Sequence, residues 1–106
     1  MLTKKQIKAN IEYLESKGFS VFENEEDYEL ENYTSAGGDM IITLEELSRK
    51  ELTEYAENFD INHEVAIWWP YGQSGNGVPF DNMRDHYNDL EKWLNNVKKV
   101  AENMPY

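Results

Sequence analysis

Apolar residues recur along the chain first at a helical period and then at a two-residue period, and the switch marks out the elements. Ile7, Ile11 and Leu14 fall on one face of a helix that opens with Thr3 and Gln6 at capping-box spacing and ends at Lys17-Gly18. Phe19 to Glu23 reads as a strand and Asn24 to Asp27 as a turn. Tyr28 to Tyr33 is a second strand, with Tyr28 and Leu30 facing the core and Glu29 and Glu31 facing water. After the small-residue loop Ser35-Ala36-Gly37-Gly38, a third strand from Asp39 to Leu44 turns Met40, Ile42 and Leu44 inward. Short turns join neighbours antiparallel, so the three strands form a meander.

Beyond the strands the period returns to helical. Ser48 and Glu51 repeat the capping-box spacing ahead of Leu52, Tyr55, Ala56 and Phe59. Asp60 or Asn62 can cap a short helix in which Ile61, Val65, Trp68 and Trp69 share a face, while a strand from Val65 to Trp69 satisfies the same pattern. Pro70 to Gly77 contains three glycines and a proline, which places it in a loop. From Asp81 a final helix carries Met83, Tyr87, Leu90, Leu94, Val97, Ala101 and Met104 at alternating steps of four and three, an apolar seam for the sheet or for a partner. The predicted fold is α+β, a small three-stranded antiparallel sheet packed by helices in the order α-β-β-β-α-α-α, forming one domain over residues 1–106.

Composition narrows the function. The chain is 40% hydrophobic and 13% aromatic, enough to fold despite a formal net charge of -11. Without cysteine it has no disulfide, thiolate metal site or thiol nucleophile. No apolar run approaches the roughly 18 residues that span a bilayer. The start, Met1 to Gln6, lacks the apolar block of a signal peptide, so a cytoplasmic location is expected. The charge is unevenly spread: residues 18–64 carry fourteen carboxylates against Arg49 and Lys50 alone, whereas the first helix is mildly basic. Nucleic acid requires a basic stripe, and an acidic membrane surface repels this field, so neither is an expected partner. The same layout serves solubility, or a basic protein surface.

Several motifs approach chemistry without reaching it. Gly72-Gln73-Ser74-Gly75 resembles a nucleophile elbow but has Asn76 where the second glycine belongs. No Lys-Ser or Lys-Thr follows the loop to make a phosphate cradle. His63 and His86 lack the spacing of a helical metal pair, and an enzyme would need a cleft gathering both with acids. Asp81, Asp85 and Asp89 form a row that a helix N-terminal dipole explains. Asn32-Tyr33-Thr34 is a sequon, without consequence unless the chain is secreted. No catalytic residue, metal or cofactor is therefore expected. Trp68-Trp69-Pro70-Tyr71 beside the glycine loop cannot turn every ring into one core, which makes Trp69 and Tyr71 candidate interface anchors. Glu23, Glu25, Glu26, Asp27, Glu29, Glu31 and Asp39 cluster on one hairpin and the start of its neighbour, and strand alternation is expected to bring several of them to one surface that imitates a short phosphate row.

Three stretches carry a resemblance: Leu30 to Met40, Phe59 to Trp68, and Gly77-Val78-Pro79 before the last helix. Across roughly Phe19 to Met104 the chain resembles a family of small acidic proteins carried by phages and conjugative elements of Gram-positive bacteria. Such mobile-element cargo includes anti-CRISPR and antirestriction proteins, many of them small and non-enzymatic. The resemblance implies a cytoplasmic anti-defence inhibitor whose partner is the basic surface of a CRISPR effector nuclease or restriction enzyme. It transfers no catalytic set. The basic first helix departs from a uniformly acidic mimic. The alternative is a structural or regulatory module docking a protein partner through the Trp loop or the final-helix seam.

Overall fold

The computed structural model describes residues 1–35, 39–68 and 83–106. Its elements run α1 (Lys4–Ser16), β1 (Ser20–Glu23), β2 (Tyr28–Tyr33), β3 (Asp39–Leu44), α2 (Arg49–Asn58), α3 (Ile61–Trp68) and α4 (Met83–Glu102), the α+β order that the periodicity predicts. The strands lie in the order β1-β2-β3, antiparallel throughout, with Leu30 opposite both Val21 and Ile42. Among the described residues no helix falls between strands. One face of the sheet carries Leu30, Met40, Ile42 and Leu44, all buried in the core they share with residues of α1, α2 and α4.

The helix ends show which local signals held. The Thr3 hydroxyl accepts from the Gln6 N–H at 3.2 Å while the Gln6 side chain accepts from the Thr3 N–H at 2.9 Å, a complete capping box. At the other end of α1, Gly18 adopts φ 93°, the Phe19 N–H returns to the Leu14 carbonyl at 3.1 Å and the Gly18 N–H to that of Glu15 at 3.1 Å. This pairing is a Schellman motif, and both Leu14 and Phe19 are in the core. The second box forms only by half. Ser48 accepts from the Glu51 N–H at 3.2 Å, but the Glu51 carboxylate turns to the Glu46 N–H at 2.7 Å, because the chain arriving from β3 brings that donor closer. Residues 61–68 are helical rather than extended: Asp60 accepts from the His63 N–H at 3.2 Å, and its carbonyl takes the Glu64 N–H at 3.1 Å.

The seam of α4 is used within the chain. Leu90, Leu94, Val97, Ala101 and Met104 are all buried, and Trp93 and Val100 widen the stripe beyond the alternating positions. Trp93 packs against Phe59 with ring centroids 5.5 Å apart, and Phe59 against Tyr55 at 5.9 Å. Long-range polar contacts fasten α1 to this layer. The Tyr13 hydroxyl donates to the Val100 carbonyl at 2.8 Å. The fully buried Asn10 donates from Nδ2 to the Leu47 carbonyl at 2.8 Å and to the Tyr106 main-chain oxygen at 3.3 Å, and accepts from the Tyr106 N–H at 3.2 Å. From Leu90 to Met104 the seam of the final helix is part of the core.

Candidate functional site

Strand pairing decides which of the acids share a surface. Residues two apart on one strand and directly opposed on the next point the same way. The register sets Phe22 against Glu29 and Thr43, Ser20 against Glu31 and Ile41, and Tyr33 against Asp39. These three rows make up the face of the sheet turned away from the buried strand residues. It carries three carboxylates, no basic side chain, and three large side chains left open: Phe22 is 49% exposed, Tyr33 56% and Ile41 58%. Glu29, Glu31 and Asp39 are half-buried among them. Same-face neighbours on one strand stand about 6.8 Å apart, so Glu29 and Glu31 form a short acidic row flanked by apolar groups.

The remaining acids of the expected cluster are elsewhere. Glu23 pairs with Tyr28, which puts it on the opposite face from Glu29, although at the strand end it is still exposed. Glu25 and Glu26 project from the β1–β2 turn, and Asp27 is half-buried there. Asn24 ties the turn to the sheet, donating from Nδ2 to Asp27 Oδ1 at 2.7 Å and to Glu29 Oε1 at 3.2 Å, while its N–H reaches the Asp27 carbonyl at 2.9 Å. The seven acids thus divide between an open face, a turn and a strand end, because the two-residue period separates neighbours that lie close in sequence. Trp69 and Tyr71, the expected anchors, lie outside the described residues, as do the loop 70–77 and Asp81.

The histidines do not converge on one cleft. His63 is exposed on α3, whereas His86 is fully buried on α4. Burial holds the His86 pKa below the ordinary 6.5, with the nearby Asp89 carboxylate working in the opposite direction. Asp89 is itself buried and accepts from the Ser35 hydroxyl, so it is part of a packed polar contact and not a solvated acid balancing a helix dipole. The Tyr55 hydroxyl is pushed up to about 12 by burial and by the Glu64 carboxylate. Among the described residues no three His, Asp or Glu side chains are grouped to hold a metal ion, and no helix is long and apolar enough to cross a membrane.

Sequence reasoning missed Phe22, Tyr33 and Ile41 as members of the surface. The signal was present: on a sheet covered from one side, outward positions are normally polar, and these three break that rule. No family model matches the chain, and no curated protein or solved structure does so either.

Proposed function

We propose that the chain is a non-enzymatic inhibitor from a mobile element that binds the basic nucleic-acid channel of a bacterial defence nuclease, of the CRISPR-effector or restriction type, in the host cytoplasm. One observation carries the reading: from Gly18 to Ser48, through all three strands and their connections, there are nine carboxylates and no lysine or arginine. Such a field repels phosphate and attracts the Arg and Lys side chains that normally hold it. Inhibition would then be steric and electrostatic, with carboxylates of the sheet and its first turn pairing to guanidinium and ammonium groups in place of nucleic acid. The resemblance to mobile-element proteins supports the choice of target class.

The test begins with capture of partners at low salt, followed by stepwise salt elution and competition with nucleic acid. For a nuclease so captured, changing Glu25, Glu26, Glu29 and Glu31 together to Lys should abolish inhibition. The far-ultraviolet spectrum should persist, since these side chains project from a turn and from the outward positions of β2. Inhibition that survives the reversal at physiological salt would rule the reading out.

A further inference from the structure

We propose that the outward face of the sheet, which bears Phe22, Tyr33 and Ile41, is the docking surface itself, and that its partner is a protein segment presenting arginine side chains between apolar ones. The inference rests on the reading of the chain as a binder of basic protein surfaces, and deepens it by naming the contact and its chemistry. A face that only kept the protein soluble would carry polar groups at its outward positions. Here Phe22, Tyr33 and Ile41, each about half exposed or more, alternate with Glu29, Glu31 and Asp39. Phe22 lies directly across from Glu29, Ile41 from Glu31 and Tyr33 from Asp39, so each carboxylate has an apolar neighbour at cross-strand distance.

That checkerboard selects among occupants. A nucleic acid is repelled by a face with three acids and no base. Docking of this face on the same face of another copy would oppose the three carboxylates of one chain to those of the next, in molecules that each carry a formal charge of -11. Lysine satisfies the carboxylates as a compact, strongly hydrated charge, but gains little from the aromatic rings. Arginine does both, since its planar guanidinium donates two parallel hydrogen bonds from its edge to a carboxylate and stacks an aromatic ring on its face. The carboxylates are also set for it. Glu29 is held by the Asn24 amide, and Glu29 and Glu31 are already half withdrawn from water, so an ion pair made there is screened less than one at a fully exposed rim. Apolar contact through Phe22 and Ile41 would exclude water around it.

The experiment is a titration of the full isotope-labelled chain, followed by amide chemical shifts, with three short blocked peptides: one alternating arginine and leucine, one lysine and leucine, one arginine and serine. The arginine–leucine peptide should shift residues 20–22, 29–33 and 39–43 and bind about tenfold more tightly than either other peptide. Phe22→Ser with Ile41→Ser should remove that advantage while leaving the melting temperature close to that of the parent, because both side chains are exposed. Equal binding by arginine–leucine and arginine–serine, or shifts centred on the Glu25-Glu26 turn, would overturn the face assignment while leaving a basic partner in place. Failure of all three peptides to bind would remove both readings. Sedimentation supplies the last arm: a dimer that Ile41→Lys dissociates would make the face a self-interface and overturn the arginine partner.

Discussion

Replacing Asn10 by alanine should destabilise the fold far more than its place on a thirteen-residue amphipathic helix suggests. The side chain is fully buried and joins three parts of the chain: α1, the Leu47 carbonyl just ahead of α2, and the C-terminal Tyr106. Alanine removes three hydrogen bonds. The Tyr106 oxygen keeps the Arg49 N–H at 2.7 Å, so the main loss is at the Leu47 carbonyl, whose donor stood at 2.8 Å in a residue with no exposed surface. A net hydrogen bond contributes about 1 kcal/mol and an abandoned buried acceptor costs about 1–3 kcal/mol, which together suggest a loss of about 3 kcal/mol. For a chain of this size that lowers the melting temperature by roughly 10–20 °C. Urea unfolding followed by circular dichroism should show a lower midpoint at unchanged slope. Asn10→Asp keeps the acceptor but, when ionised, places a charge against two main-chain oxygens, so at neutral pH it should be at least as damaging. Its pKa in the folded state would be raised, so its excess penalty relative to the parent should shrink as pH falls toward about 4, where the carboxyl protonates and can donate. Removing Pro105 and Tyr106 together should cost less in the Asn10→Ala background than in the parent, because two of the same bonds are already gone. A loss below about 1 kcal/mol for Asn10→Ala would refute the reasoning, since the Leu47 carbonyl and the Tyr106 N–H would then be as well satisfied without the amide.

Two further outcomes follow from individual residues. Gly18→Ala should cost about 1–2 kcal/mol by thermal melting, because φ 93° is a conformation that L side chains rarely adopt even though nothing lies within 4 Å of the added carbon; an unchanged melting temperature would mean the Schellman turn is not maintained in solution. Burial keeps the folded-state pKa of His86 below 6.5, so as pH falls the unfolded chain takes up its proton first; stability from the neutral ring is complete above about 6.5 and declines as pH drops through the lower folded value. Imidazole resonances tracked by nuclear magnetic resonance should show a His86 midpoint below the ordinary 6.5, and a midpoint above it would contradict the burial.

The sequence by itself determined the elements and their order, because the forces that select them act over a few residues. Thr3 and Gln6 are three apart, Leu14 and Gly18 four, and the alternation of Met40, Ile42 and Leu44 needs only the strand's own pleat. Short connections then made the sheet antiparallel. Other features needed the assembled fold. Whether residues 61–68 are helix or strand was settled when Asp60 capped them, and which N–H the Glu51 carboxylate accepts from depended on Glu46 arriving beside it. The role of Asn10 rests on partners 37 and 96 residues away, a distance at which no periodicity carries information. The acidic cluster shows the division most clearly. Counting carboxylates put seven together, but the register placed Glu29, Glu31 and Asp39 on the open face with Phe22, Tyr33 and Ile41 and sent Glu23 to the other side. Charge along a chain is additive in sequence, whereas a surface is made by pairing, and a two-residue period gives adjacent residues to opposite faces.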